Sequence, residues 1–501
     1  MPDLWLGIDA GTTAIKAGVY DATGTRLAFG EAPGVVTVGP GGRSEQDMQA
    51  VWAGVCRAVR AALEGIDPGR IASVGIAAQG DGLWALDAER QPVGPAILWN
   101  DTRAADAVAD LYASGRAAAV SRACNTAIWP GTAGTIHQWL LAHEPERAAR
   151  IDRVLYCADW VGFRLTGELA TDFSDASIPF LDFAAREYDP KALEALDSAA
   201  LAAKLSPPRP ADSRLGAVTP EAAQATGLPE GVPVSVGTMD LSAMIVGMGM
   251  DRAGETMMIL GTTAVVNILT DRVEPTDLPV GATAFHANGR LLTRILAPTT
   301  GAAAFDWFCA LHPQTLGGET PAEIAGKLNA LARDVPPGAN GVTFLPYLNG
   351  ERAPFVAPKA RGAFFGLSAG STKADMGRAV MEGAAFSLRH CFEEEGGRPD
   401  KPVRLTGGGA RNALWCQIIA DVMQVPILVA EASDHGLWGA ACLGAAAAGQ
   451  GDACQLARRD EATLRYDPDP ATSAACDAAF ARYRTLSDAC RALWTQQEEN
   501  S

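Results

Sequence analysis

The tetrapeptide Gly-Thr-Thr-Ala occurs twice, at Gly11-Thr12-Thr13-Ala14 and at Gly261-Thr262-Thr263-Ala264, about half the chain apart. No other feature constrains the fold as strongly. Each copy lies between two apolar runs, Leu4 to Ile8 and Ile15 to Tyr20 around the first, Met257 to Leu260 and Val265 to Leu269 around the second. Both copies therefore read as strand, tight turn, strand. A Gly-Thr-Thr turn offers backbone N–H groups and small hydroxyls with no bulky side chain in the way, which suits the close approach of a phosphate. Two such turns suit the clamping of one polyphosphate; the alternative is a chance match between two ordinary hairpins. The copies differ at one place, where Asp9 precedes the first turn and Ile259 holds the matching position in the second. A carboxylate beside a phosphate cradle points to a bound Mg²⁺, because two anions repel unless a cation lies between them.

A chain of 501 residues is too long for one core, and the repeat favours two large domains. With 48% hydrophobic and 20% charged residues, it has enough apolar side chains for both and no signature of disorder. The net charge of −17 argues against nucleic-acid and acidic-membrane partners, both of which need clustered Lys and Arg. An anionic ligand must then be held by backbone amides and metal. The ten cysteines, scattered from Cys56 to Cys490 without a C-x-x-C pair, read as reduced core residues rather than a disulfide framework or zinc site. The first residues lack a basic n-region and no apolar run reaches spanning length, so a cytoplasmic protein is expected.

Ser44 with Asp47 resembles an N-cap box for a helix carrying Met48, Val51, Trp52, Val55, Val59 and Leu63. Ile71 to Ala78 reads as a buried strand ending in Gln79-Gly80-Asp81-Gly82, and a strand end with glycines and an acid is a common ligand site in α/β proteins. Pro95 to Trp99 reads as a strand closing on Asn100-Asp101-Thr102-Arg103, and Thr171 to Ser177 as a polar loop. A strand from Val232 to Val236 runs into Gly237-Thr238-Met239-Asp240, and the small apolar stretch Leu241 to Met250 marks the junction between the halves. In the second half Thr299-Thr300-Gly301 opens a helix. Val403 to Leu405 leads through Thr406-Gly407-Gly408-Gly409-Ala410 into a helix from about Asn412 to Met423. That order would aim helix N-terminal amides at a nucleotide, although triple glycines also occur in ordinary loops. Gly436 to Gly449 reads as a small-residue helix suited to close packing, and the tail after Gly451 as polar and helical.

Several of these stretches resemble the FGGY family of carbohydrate kinases, within the superfamily of sugar kinases, actin and 70-kDa heat-shock ATPases. The most specific is Gly362-Ala363-Phe364-Phe365-Gly366-Leu367 followed, after seven residues, by Asp375-Met376-Gly377-Arg378-Ala379-Val380-Met381-Glu382, which fits the family's C-terminal signature. Leu98 to Arg103, Arg164 to Gly167 with Asp172, Asp240, Glu351-Arg352-Ala353-Pro354 and Gly407 to Ala410 support it. One departure is that Ala133 to Trp139 lacks the lysine that usually precedes the tryptophan of the N-terminal signature.

The resemblance implies an α/β fold of two actin-like, ribonuclease H-like domains with a cleft between them. Residues 1–247 would carry the sugar and the catalytic base, and 248–501 the ATP. ATP and Mg²⁺ are the implied cofactors and a small sugar or polyol the partner, with a homodimer as an open option. Asp240 would be the base, accepting the proton of a sugar hydroxyl while Mg²⁺ and amides stabilise the transferring phosphoryl group; the alternative is a helix-capping aspartate. Asp9 and Asp240 would face Mg²⁺, unless Asp9 is a turn-forming Asx residue. Gly11, Thr12, Thr13, Gly261, Thr262 and Thr263 would meet phosphates, and Gly301, Gly408, Gly409, Ala410 and Asn412 the nucleoside side. The sugar would contact Gln79, Gly80, Asp81, Trp99, Asp101 and Asp240, with Trp84 or Trp99 either against its carbon skeleton or packed in the core. Gln-Gly-Asp-Gly is more similar to erythritol and L-xylulose kinases than to the Met-His-Gly of typical xylulokinases. The expected activity is ATP-dependent phosphorylation of a pentulose such as xylulose. The alternatives are an erythritol or other polyol kinase, a non-catalytic sugar sensor, and an actin-like ATPase.

Overall fold

The structure, a computed structural model, describes residues 3–178, 180–274, 276–277, 279–311, 320–430, 434–459 and 463–499. Contacts divide the chain into two compact units, the first formed by Met1–Arg252, Thr270–Thr293 and Asp434–Asp460, the second by Ala253–Leu269, Arg294–Ser433 and Glu461–Ser501.

In the first unit, strand β1 (Leu4–Ala10) turns through Gly11-Thr12-Thr13 into antiparallel β2 (Ala14–Tyr20), which pairs with β3 (Arg26–Pro33). Helix α1 (Met48–Ala62) then leads back to β4 (Ile71–Ala78), parallel to β1. Its cap is Asp47, whose carboxylate accepts the Ala50 N–H at 2.8 Å. Ser44, expected as part of that cap, sits instead in the strand Arg43–Gln46, because Asp47 reaches the first turn directly and the helix starts one residue later. Strands β5 (Arg214–Ala217), β6 (Pro233–Ser235) and β7 (Thr238–Met239) complete a sheet of order β5-β6-β4-β1-β2-β3, with β7 also on β4.

Helices cover both faces of this sheet. On one, α1 and α2 (Cys157–Thr166) bury Trp52, Val55, Val59, Trp160 and Val161 against Leu6, Ile8, Ile15 and Ile76. On the other lies the helix His435–Ala447, which returns from the far end of the chain. Glycines let it approach: a Cβ on Gly7 would stand 2.2 Å from the Leu437 carbonyl oxygen, and one on Gly75 only 1.7 Å from that of Ala440. This return makes the first unit discontinuous in sequence. The helix α3 (Asp240–Gly247) packs equally closely, since a Cβ on Gly439 would stand 1.9 Å from the Ala243 oxygen.

Two further stretches differ from expectation. Thr171 to Ser177 is not an open loop but a short strand, Thr171–Asp172, and a helical turn, Phe173–Ala176, all buried. Asp172 accepts from Ser174 and from the Asp175 N–H within the segment, so the polarity that suggests solvent is turned inward. The tail after Gly451 contains a strand, Thr463–Tyr466, between the helices Ala453–Ala457 and Ser473–Glu499.

The second unit repeats the plan. Strand β8 (Thr256–Leu260) turns through Gly261-Thr262-Thr263 into antiparallel β9 (Ala264–Thr270), beside which lies β10 (Leu292–Leu296). Helices α4 (Ala303–Ala310) and α5 (Lys373–Glu394) precede β11 (Val403–Thr406), which is parallel to β8 as β4 is to β1. After α6 (Ala413–Met423) come β12 (Ile427–Ala430) and the edge strand β13 (Thr463–Tyr466). The recurring tetrapeptide thus heads the same hairpin in two copies of one topology. Gln79-Gly80-Asp81-Gly82 and Gly407-Gly408-Gly409-Ala410 are the corresponding loops. Helix α5, which carries Asp375 to Glu382 of the signature, opens on a Thr372–Asp375 capping box and buries an Arg378–Glu382 ion pair at 2.8 Å.

Candidate functional site

Three carboxylates meet where parallel strands of the first unit end. Asp9 lies one residue before the end of β1, opposite Ala77 of β4; Thr238 of β7 is opposite the same Ala77, and Met239 opposite Ala78. Register therefore brings the residues that follow, Gln79 to Gly82 after β4 and Asp240 after β7, to one edge of the sheet, the place where open α/β sheets bind ligands. Asp81 has φ of +58° and Gly82 of +79°, so the chain turns sharply there through backbone that an aspartate rarely adopts.

The electrostatics couple the three. Burial pushes the Asp9 carboxyl up to about 7, Asp240 adding to the rise and Lys16, its cross-strand neighbour, opposing it. Burial, and again Asp240, raise Asp81 to about 7 as well. Asp240 itself presents an exposed edge but is crowded by protein on its other side, and the loss of water there raises its carboxyl; the Leu241 N–H, donating to Oδ1 at 2.6 Å, pulls the other way. Oδ1 of Asp9 and Oδ1 of Asp81 are buried without a hydrogen-bond partner among the described residues. Such atoms are costly unless a ligand, a cation or a proton completes them.

The first Gly-Thr-Thr turn is pinned by its carbonyls. Gly34 N–H donates to the Thr13 oxygen at 2.9 Å, and Gln46 Nε2 to the Thr12 oxygen at 2.9 Å. The Thr12 hydroxyl donates to Gln79 Oε1 at 2.8 Å, and Gln79 Nε2 donates to Gln46 Oε1 at 2.6 Å. Gln79 is thus buried, with both ends of its amide bonded to residues that hold the turn. Trp99 is 41% exposed with Nε1 3.3 Å from the Thr12 hydroxyl, while Trp84 is fully buried as a core residue. Asp101 is also turned away from a ligand role. Its oxygens accept from Arg103 Nε and Nη2 at 2.9 and 2.8 Å and from the Ser44 N–H at 2.7 Å.

In the second unit the other turn is held the same way. Its Thr262 oxygen accepts from the Gly301 N–H at 3.0 Å and its Gly261 oxygen from the Ala302 N–H at 2.6 Å. Gly301 is required there, since a Cβ would fall 2.4 Å from the Thr263 oxygen. In the glycine loop only Gly408 has an open face; a Cβ on Gly409 would strike Leu260 at 2.5 Å, and Ala410 is buried. Asn412 caps α6, accepting the Trp415 N–H at 3.2 Å. Gln46 escapes any sequence signal of local spacing. Glu351, marked in the sequence only as part of Glu351-Arg352-Ala353-Pro354, is a buried carboxylate that accepts from the Thr299 N–H at 2.7 Å and the Arg352 N–H at 2.9 Å. Glu351 stands at about 7 because of its burial, those N–H groups offsetting part of the rise.

Paired hairpins with phosphate-sized turns, and an acid trio at the carboxyl edge of one sheet, define a two-domain phosphotransferase of the sugar-kinase and actin superfamily. The chain belongs to the FGGY family of carbohydrate kinases, whose N-terminal domain matches residues 4–247 and whose C-terminal domain matches residues 256–448. It is 31% identical to a probable L-xylulose kinase of Pasteurella multocida over 98% of this chain and 99% of that one. It is 29% identical to an erythritol kinase of Brucella abortus, over 98% and 97% of the two chains. Among solved structures, xylulose kinase from Rhodospirillum rubrum superposes with a TM-score of 0.89 at 26% identity, covering 98% of this chain and all of that one. The protein is an ATP-dependent carbohydrate kinase. Among the described residues no helix is long and apolar enough to cross a membrane.

Proposed function

We propose that the protein transfers the γ-phosphoryl group of ATP to a terminal hydroxyl of a pentulose of the xylulose type, the sugar on the first unit and the nucleotide mainly on the second. The observation that carries the substrate class is Asp81, held in a left-handed turn with a buried, unpartnered oxygen and a carboxyl near 7. An ionised aspartate only accepts hydrogen bonds, but one that keeps its proton near neutrality also donates to a ketose carbonyl. Related L-xylulose and xylulose kinases agree with that class. The second reading, a tetritol such as erythritol, rests on the erythritol kinase relative, and needs Asp81 only as an acceptor.

Asp240 takes the proton of the attacking hydroxyl, its raised pKa bringing it closer to the pH at which it works. With the Gly11 and Gly261 N–H groups donating to the Ala14 and Thr263 oxygens, the N–H groups of Thr12, Thr13, Thr262 and Thr263 are the ones that hold phosphate oxygens. Asp9, with its orphaned Oδ1, fits Mg²⁺ held through water and phosphate. When bound, that ion neutralises charge on the phosphates. ADP release coupled to an indicator reaction, with D-xylulose, L-xylulose, erythritol, glycerol and no acceptor, tests the reading. A pentulose is expected to be the best acceptor. Erythritol as the best acceptor would establish the second reading, and no acceptor-dependent release would overturn both.

A further inference from the structure

The buried segment Thr171 to Ser177 has no role in the reaction as described, yet it touches both elements that present the acids. Asp172 is 1% exposed, and its Oδ2 accepts the Thr238 hydroxyl at 2.8 Å and the Ser174 hydroxyl at 2.6 Å. The two hydroxyls are 2.6 Å apart. Thr238 is two residues before Asp240, on the strand whose end sets that residue's position. Asp172 Oδ1 accepts the Asp175 N–H at 3.1 Å, which fixes the helical turn between them. Asp175, fully buried, reaches the other loop: its Oδ1 accepts the Asp81 N–H at 3.4 Å and lies where a Cβ on Gly80 would come within 3.3 Å. Gly80 is equally close to the base strand, since the same Cβ would meet that of Met239 at 3.0 Å.

Core packing alone does not account for this choice of residues. Burying two aspartates three residues apart is costly, and Asp175 Oδ2 is left without a partner among the described residues. An apolar segment would fill the same space with less penalty. What the acids supply is direction, since Asp172 holds β7 by the Thr238 hydroxyl and Asp175 holds the turn by the Asp81 N–H. Strained backbone of the kind at Asp81 persists only where its surroundings over-determine it.

We propose that Asp172 and Asp175 are positioning residues, Asp172 holding the base strand through Thr238 and Asp175 holding the turn that presents Asp81 to the sugar. This rests on the kinase reading for its kinetic consequences but not for its structural ones. Asp175→Ala releases the turn, so amide exchange in a peptide covering residues 79–84 accelerates while one covering 238–242 does not. Thr238→Val keeps the shape and removes the hydroxyl, and accelerates exchange at 238–242 instead. Kinetically, Asp175→Ala raises KM for D-xylulose or erythritol, whichever the parent uses, by roughly tenfold to a hundredfold with KM for ATP kept; Thr238→Val lowers kcat over a similar range with acceptor KM kept. Asp175→Asn and Thr238→Ser retain the acceptor oxygen and the hydroxyl respectively and restore parent values. If exchange rises uniformly, or stays unchanged at both peptides, the proposal is overturned whatever the acceptor. A parent enzyme that phosphorylates no acceptor overturns the kinase reading alone, because the exchange pattern is read without substrate. Because Thr238→Val is nearly isosteric, that arm stands even where Asp175→Ala does not fold.

Discussion

Asp240 and Asp81 are the same residue type at neighbouring strand ends, and the proposed mechanism gives them different work. Asp240→Asn keeps shape and removes the proton acceptor, so kcat is expected to fall by roughly 10²–10⁴ with acceptor KM little changed. Asp81→Ala is expected to raise acceptor KM while KM for ATP stays similar; near-normal kcat in the first variant, or unchanged acceptor KM in the second, would refute the respective assignment. The raised carboxyls also set a pH signature. Asp9 and Asp81 move from 3.8 to about 7 on folding, so between those values the unfolded chain releases protons that the folded one keeps. Their contribution to stability is complete below 3.8 and fades as pH rises toward 7. Asp81→Asn removes one such group, so its urea midpoint should fall less than the parent's between pH 5 and pH 8, and parallel falls would show that Asp81 does not titrate in that window. The acids are legible in the sequence because each sits at or near the end of an apolar run, within three residues of a glycine. Hydrogen bonding is not. Gln79 reads as a sugar ligand, and only the fold reveals that Gln46, 33 residues earlier, and Thr12 occupy its amide.

At the scale of elements, the strands and helices with strong periodicity or continuous apolar runs, such as α1, β1, β4 and α6, are readable with only small errors at their ends. Thr171 to Ser177 fails because local polarity does not say whether polar groups face water or each other. The small-residue helix His435–Ala447 is readable as a close-packing element, but its partners are not, since they come from the opposite end of the chain. Glycines measure how close that packing is. A Cβ on Gly439 would stand 1.9 Å from the Ala243 oxygen on the helix that opens with Asp240, and backbone cannot yield as a side chain can. Gly439→Ala is therefore expected to destabilise by about 1–3 kcal/mol or more and to lower kcat by displacing the base. Gly326 lies within the helix Pro321–Arg333 with nothing within 4 Å of its would-be Cβ. There alanine should stabilise by roughly 0.5–1 kcal/mol, through helix propensity. Thermal denaturation of the two variants checks the opposite signs, and a shared sign would mean that the spacing does not control the outcome.

At the scale of the molecule, the first unit is discontinuous in sequence although its sheet is made almost wholly by residues 4–239. The sheet's second face is closed by a helix from beyond residue 434, which buries Leu437, Trp438, Ala440, Ala441, Cys442 and Leu443. Trp438 stacks on Trp5 with centroids 5.7 Å apart, and Tyr20 donates to Asp434 at 2.8 Å, so the end of the β1–β2 hairpin opposite its turn leans on the returning segment. At about 25 cal/mol per Å² of apolar surface, each large side chain buried there contributes roughly 1.5–3 kcal/mol. Losing even a few of them is large against the roughly 5–15 kcal/mol of net stability typical of a whole domain. A protein ending at Arg252 would expose the glycine-lined face over Gly7 and Gly75, and is expected to aggregate or to lack a cooperative transition. Joining residues 434–460 to that fragment through a flexible linker should restore a cooperative unfolding transition, measured by circular dichroism, and protection of the β1 and β4 amides in hydrogen exchange. Leu437→Asp in the joined segment should abolish the rescue, since it replaces a buried apolar side chain against Gly18 of β2 with a charge. A fragment 1–252 that folds cooperatively unaided would show that the returning helix is a cover the sheet does not need.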